Sequence, residues 1–486
     1  MKKILFLLLS VALLVGCTTG KTQKPSFTGT WYASQYGCRS VVHFNEDSTI
    51  TISSEANSAA NMTVGYVVSP QADGYHFDLK MGMENRGIAL FDGADHLQIG
   101  IVFGPEQYAP RPQKYEDANS THGNLMLDLY RDPTKVISVL DTKVEAPAEA
   151  AIPFERNKRL GRGLNMNGYV DANPVDGNDA PMTEADFQGI AEAGFQSVRI
   201  PTTWVKHCAK EAPYTIDADF FQKMDWTIEQ CLKNNLAVSI DQHYYPAINM
   251  GEDDPDLTWE QNLDRIKSLW TQIAEHYKDY PNDMLFFDLL NEPNMRLGAD
   301  GLNKLHAELI AIIRRTNPGR TLIIGTPNLG QTWTLGELKF PENEWNIIVQ
   351  GHYYLPHTFT HQNLEYVPSA MVGHQVEWHG TENEKAPIIR DLDFCQRWSE
   401  QSSRPLNIGE YGVCLKADQQ SMNRYFSFMQ EQFQLRGFSS HIWAYRGLFG
   451  LYDLQTKKWN QESIQALTNF YYKRLFIPMR YLFSLL

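Results

Sequence analysis

The chain is short of positive charge, of cysteine and of long apolar runs, and each shortage removes a class of protein. Only 43 Lys and Arg stand against 57 Asp and Glu in 486 residues, a formal net charge of −14. Phosphate backbones require a basic surface, so no nucleic-acid partner is expected. Six cysteines are present, with no CxxC pair and no histidine at metal-ligand spacing, which argues against a zinc site. Beyond Cys17 there are five, Cys38, Cys208, Cys231, Cys395 and Cys414. An odd number cannot all pair within one chain, and most are expected as small buried apolar groups. The acidic run from Gly251 to Asp256 lacks EF-hand spacing and reads as a solvated loop. No metal and no cofactor are expected.

The densest apolar run lies at the start. Lys2 and Lys3 precede Ile4 to Val15, then Gly16 and Cys17. The run is too short for a spanning helix and fits a secretory signal. Leu14-Val15-Gly16-Cys17 resembles a bacterial lipobox, in which the cysteine is acylated and becomes the new N-terminus. That resemblance implies residues 1–17 as a lipoprotein signal and a bacterial envelope protein, lipid-anchored through Cys17 at the outer membrane or cell surface; simple cleavage with Cys17 incidental, giving a secreted protein, is the alternative. Each buried methylene contributes about 0.8 kcal/mol, and stable anchoring needs more than one acyl chain.

What is present divides into two textures. From residue 18 to about 138, short alternating or β-branched runs such as Ser40-Val-Val-His-Phe-Asn45 and Tyr75-His-Phe-Asp-Leu-Lys-Met81 are separated by polar turns. They predict a small all-β domain, barrel or sandwich. Gly29-Thr-Trp31 is similar to the Gly-x-Trp opening of lipocalin-type barrels. No paired carboxylates occur there, so a spacer role is expected, with sugar binding through residues such as Trp31 as the functional alternative. Residues 139–152, rich in Ala, Glu and Pro, read as a linker.

From 153 to 486 apolar runs alternate with amphipathic stretches. Candidate strands lie at 163–167, 197–200, 236–240, 285–290, 321–325, 346–350, 405–409 and 441–445. Thr183 can cap and Gly194 can end one of the intervening helices. Eight strands alternating with helices predict an α/β fold, a (β/α)₈ TIM barrel.

Barrel active sites are built where the strands' C-terminal ends meet. That rim would collect Arg199 from the second strand, His243 and Tyr244 from the third, Asn291 and Glu292 from the fourth, His352 and Tyr354 from the sixth, Glu410 from the seventh and Trp443 from the eighth. Two carboxylates flanking a bond are the minimum equipment for glycoside hydrolysis. The aromatic surplus, 11 Trp and 23 Tyr, would suit a sugar cleft. Pro293, with no N–H and a fixed φ, is expected to end strand pairing and aim Glu292 across the rim.

The motifs "VRIP", "IDQH", "LLNEPN", "HYY" and "NIGEYG", in that order from Gly161 to Phe476, resemble glycoside hydrolase family 5 of the cellulase-like clan. Asn-Glu-Pro and Gly-Glu-x-Gly stand 118 residues apart, glutamate to glutamate. The resemblance implies a retaining endo-β-glycosidase acting by two-glutamate double displacement. Its substrate would be a β-1,4-linked glucan, mixed-linkage glucan, xyloglucan or mannan, and the enzyme would be a monomer. Glu292 would be the acid/base, Glu410 the nucleophile and Asn291 the amide that binds the sugar 2-hydroxyl. Arg199 would lie beneath the nucleophile, His243, His352 and Tyr354 would position the carboxylates and the sugar, and Trp443 would be its platform. Tyr244 departs from the family, where many members have a second histidine. Exo-acting or glycolipid-directed hydrolysis, or a surface glycan-binding lipoprotein without turnover, are the alternative functions.

Overall fold

Period-two alternation in the first part of the chain becomes strands. The computed structural model describes residues 26–468 other than 105, 108, 121–124, 172–180, 294–295, 366 and 368–371, so the leader and Cys17 lie outside the described residues. The chain divides into two compact units, one drawn from residues before Thr134 and the other mainly from Thr134 onward.

Eight strands, β1 (Gly29–Gln35), β2 (Cys38–Phe44), β3 (Thr49–Ser54), β4 (Met62–Gln71), β5 (Gly74–Lys80), β6 (Asn85–Phe91), β7 (His96–Phe103) and β8 (Leu125–Tyr130), pair in chain order and close as a barrel. Neighbouring strands run antiparallel where β4 to β8 pair, and β1 meets β8 antiparallel through Tyr32 and Tyr130. The interior is filled by rings. Phe27 packs against Phe44, Tyr66, Tyr75, Phe77 and Phe91 at centroid distances of 4.9 to 6.4 Å. Trp31 is closed off from solvent, donates from Nε1 to the Phe27 carbonyl, and has the Arg131 guanidinium 3.9 Å from its ring centroid. It is therefore core, not an exposed sugar platform, which removes it from the alternative reading of this domain as a carbohydrate binder.

The segment read as a linker holds two short 3₁₀ turns, Val139–Asp141 and Ala148–Ala150, the first closed by a Ser138–Asp141 capping box. A helix over Ala151–Leu160 follows.

The second barrel is parallel and closed: β9 (Arg162–Asn165), β10 (Ser197–Ile200), β11 (Ala237–Asp241), β12 (Leu285–Asp288), β13 (Leu322–Gly325), β14 (Ile347–His352), β15 (Leu406–Tyr411) and β16 (Ser439–Ile442), with β16 pairing back to β9. This is the expected (β/α)₈ architecture. Helices 184–192, 218–233, 259–276 and 298–314 follow the first four strands, and 382–402, 419–436 and 461–468 follow the last three. After β13 only short turns intervene, including a 3₁₀ turn at Thr332–Glu337. Three helices open on a threonine capping box, at Thr183, Thr258 and Thr381.

The strands differ on their two faces. Val198, Ile200, Val238, Ile240, Leu285, Phe287, Ile347 and Val349 join the large apolar cluster that includes the helices. Alternate residues point inward. Ala237, Phe286, Ile323 and Ile348 fill the N-terminal end with Leu160. Two residues further along β12, and two along β14, the inward positions are Asp288 and Gln350, both buried.

The eighth strand begins at Ser439, not at 441, and stops at Ile442, before Trp443. Ser439, Ser440 and His441 look like loop residues but are buried, and Ser439 Oγ donates to Asn157 Oδ1 at 2.6 Å. All five cysteines beyond Cys17 are free thiols, and all but Cys208 are buried. Among the described residues no helix is long and apolar enough to cross a membrane.

Candidate active site

The centre is Arg199, inward on β10 and wholly buried. A buried guanidinium must be paired and hydrogen-bonded in full. Its Nη2 meets Asp241 Oδ2 at 2.7 Å, its Nε meets Asp288 Oδ2 at 2.8 Å, and its Nη1 meets Glu410 Oε1 at 3.0 Å. Nη1 also donates to Asn165 Oδ1 at 3.0 Å and Nη2 to Asn291 Oδ1 at 2.8 Å. Four other strands, β9, β11, β12 and β15, thus direct polar groups from themselves or the turns that follow them to one cation on β10. Burial alone would lower the Arg199 guanidinium, but Asp241, Asp288 and Glu410 outweigh it and hold it protonated.

Glu410, on β15, is 5% exposed. Its second oxygen, Oε2, accepts from the Tyr354 hydroxyl at 3.0 Å. Both oxygens are thereby fixed, one by a cation and one by a neutral donor. Glu292 stands at the mouth with a third of its side chain exposed. Its Oε1 lies 2.7 Å from His352 Nδ1. Desolvation pushes the Glu292 carboxyl above the usual range, against the pull of His243, Arg199 and His357. Burial pushes His352 down to about 4, so the ring is neutral near pH 7.

His243, just past β11, pairs through Nδ1 with Asp241 Oδ2 at 2.8 Å and stacks on Trp443 with centroids 5.4 Å apart and planes 9° apart. Burial opposes its protonation, but the Asp241 charge outweighs burial and raises it. Its link to the glutamates runs through Asp241 and Arg199; among the described residues it has no hydrogen bond to either one. Tyr244 lies half-buried with the Lys206 amine 5.7 Å from its ring centroid.

The structure therefore brings Arg199, His243, Asn291, Glu292, His352, Tyr354, Glu410 and Trp443 to one barrel mouth. One local expectation is corrected. β12 stops at Asp288, four residues before Glu292, so Pro293 does not end the strand. Asn291 N–H instead donates to the Gln242 carbonyl at 3.0 Å, and Glu292 itself takes a left-handed φ of 33°. That backbone turn, rather than the proline ring, aims the carboxyl.

Four polar residues escaped the sequence reading: Asn165, Asp241, Asp288 and Gln350. Each is a polar residue at or near the C-terminal end of a short, mostly apolar strand run, which is the signal that would have found them. Glu292, His352 and Glu410 are also the one group among the described residues whose ligand atoms, all within 4.8 Å of one another, could chelate a cation. Each is already committed to a hydrogen bond within the constellation, and no metal is assigned to it.

The family model for cellulase (glycosyl hydrolase family 5) matches residues 158–447. Endoglucanase H of Acetivibrio thermocellus is 29% identical over 349 residues, covering 70% of this chain and 36% of that protein. Endoglucanase A of Clostridium longisporum is 25% identical over 344 residues, 63% of each. The chain thus spans about a third of the first relative and less than two thirds of the second. The crystal structure of endoglucanase Cel5A from Thermotoga maritima superposes with a TM-score of 0.60 at 38% identity, covering 65% of this chain and 99% of that one. The paired glutamates therefore sit in a parallel barrel whose sequence, order of motifs and backbone all agree, and the chain belongs to the cellulases of glycosyl hydrolase family 5.

Proposed function

We propose that this chain is a retaining endo-β-glycosidase that cleaves a β-1,4-linked backbone with Glu410 as nucleophile and Glu292 as acid/base. The observation that carries the reading is the pair itself. Oxygens of Glu292 and Glu410 come within 4.8 Å. That closeness fits the carboxyl groups of retaining enzymes, ~5–5.5 Å apart, better than those of inverting ones, ~6.5–9.5 Å apart with room for a water.

In the first step Glu410 Oε attacks the anomeric carbon while Glu292 gives its proton to the departing glycosidic oxygen. A glycosyl ester on Glu410 results, and the leaving sugar departs with a hydroxyl. In the second step Glu292, now a carboxylate, takes a proton from water, whose oxygen attacks the anomeric carbon and frees Glu410. Arg199 and Tyr354 hold the carboxylate in its attacking position. The Asn291 carbonyl oxygen faces Arg199, which leaves its NH₂ for the sugar 2-hydroxyl, a bond that tightens in the transition state. Trp443, fixed by His243, offers an apolar face to the ring.

The relatives' names support an endo-acting cellulase, and structures of the Thermotoga Cel5A are described in complex with mannotriose and with cellobiose. We extend both to this chain, as a gluco- or manno-configured backbone. The lipobox-like Cys17 supports a place at the cell envelope. The test is incubation with β-glucan, xyloglucan, mannan and xylan beside Glu410→Gln. Polymer-specific release of reducing ends, with the β-anomer formed first by NMR and lost in the variant, is the expected result. An α-anomer formed first would overturn retention.

A further inference from the structure

Gln350 is buried on β14, two residues before His352, and takes no part in the steps above. Its Nε2 donates to Asp288 Oδ2 at 2.7 Å, and its Oε1 lies 3.1 Å from His352 Nε2. The same Asp288 oxygen accepts from Arg199 Nε at 2.8 Å. Gly409, beside the nucleophile, makes the room: a Cβ there would overlap the Gln350 carboxamide.

The proton positions follow from what each atom can do. Asp288 Oδ2, held by Arg199, accepts, so the amide turns its NH₂ toward the carboxylate and its carbonyl toward the imidazole. A carbonyl cannot donate, so His352 Nε2 carries the hydrogen. The ring is neutral, which leaves a lone pair on Nδ1. Glu292 Oε1 lies 2.7 Å from that lone pair. A hydrogen bond of this length needs a proton, and Glu292 is the partner that can supply it. Glu410 Oε2, 3.6 Å from Nδ1, is too far to compete.

We propose that Gln350 is a positioning residue that locks His352 as its Nε2–H tautomer and so keeps the catalytic proton on Glu292. In the second step the same lone pair faces the Glu292 carboxylate and makes it a stronger base toward water. The proposal rests on the acid/base reading of Glu292. The groups that face the Glu292–His352 pair are Arg199 from β10, His243 past β11, Asp288 from β12, Glu410 from β15, and His357 of the short helix His357–Thr360. Arg199, His243 and His357 favour ionised Glu292, so the tautomer lock works against all three.

Gln350→Met fills the space without either polar atom. His352 is then free to carry its proton on Nδ1 and donate it to an ionised Glu292. The alkaline limb of kcat/KM is expected to move down by about one pH unit, a tenfold change in the ionisation of Glu292. Gln350→Glu, protonated on the oxygen that faces Asp288, still accepts from Nε2–H and is expected to keep the limb in place, which a merely structural role would not do. ¹⁵N NMR of histidine-labelled full chain, with His352 assigned by its loss in His352→Ala, reads the tautomer without substrate. Nε2–H is expected in the wild type and in Gln350→Glu, and Nδ1–H in Gln350→Met. An Nδ1–H tautomer in the wild type, or an unmoved limb in Gln350→Met, overturns the proposal. Failure of the functional reading shows separately, as wild-type inactivity on every polymer, and the tautomer still decides the role of Gln350.

Discussion

Both barrels close with eight strands, yet one is filled with rings and the other carries a buried charge cluster. Direction explains the difference. Up-and-down antiparallel strands deliver their C-terminal ends alternately to two rims, so each rim draws on half of them. Eight parallel strands deliver all their C-terminal ends to one rim. Asp241, Asp288, Gln350, His352 and Glu410 close or nearly close their strands and converge. In the antiparallel barrel, Phe27, Phe44, Tyr66 and Phe77 meet as apolar filling instead.

That contrast can be broken in four places. Glu410→Gln is expected to cut turnover by about 10⁴-fold or more with the fold intact, read by single-turnover kinetics beside circular dichroism. Next comes Arg199→Met, which leaves three carboxylates without their cation. It is expected to cost about 3–5 kcal/mol in chemical denaturation, because the uncompensated charges stay buried. Phe77→Ala, in the ring-filled barrel, is expected to cost that barrel about 3 kcal/mol while kcat of the folded protein stays at the wild-type value. A loss of kcat would mean that the filled barrel does more than hold itself together.

The smallest effect concerns His306, buried on the helix Gly298–Arg314 with no hydrogen-bond partner at either ring nitrogen among the described residues. Burial pushes it down to about 3. Its folded pKa lies below the unfolded one, so the unfolded chain binds more protons between about 6.5 and 3, and stability falls as pH falls through that window. His306→Leu is expected to raise stability by about 1–2 kcal/mol at neutral pH and by more near pH 4, read as Tm against pH.

The outward strand faces were legible because they obey a single rule, apolar against helices. Seven of the eight strands lay within two residues of their expected bounds for that reason. The eighth slipped because its buried Ser-Ser-His is satisfied by hydrogen bonds across the barrel floor, which no hydropathy pattern reports. The eight expected site residues share one mouth because each motif stands near a strand's end. Asp241 lies inside the motif IDQH and Asp288 inside the expected strand 285–290, but neither motif nor strand pattern reports which side chains neutralise a buried Arg199. The alternative of sugar binding through Trp31 stayed open because a Gly-x-Trp opening does not tell whether the ring faces in or out. The backbone at Glu292 was beyond reach, as nothing in Asn-Glu-Pro announces a positive φ on the glutamate.

That left-handed turn has a consequence for how the activity is maintained. A residue with a side chain pays about 1–2 kcal/mol to sit there, and glycine does not. On the acid/base role proposed for Glu292, Glu292→Gly would therefore be a dead enzyme with a more comfortable chain at that point. Selection for stability alone would drift away from catalysis at this position, and only continued demand for the product holds the glutamate in place.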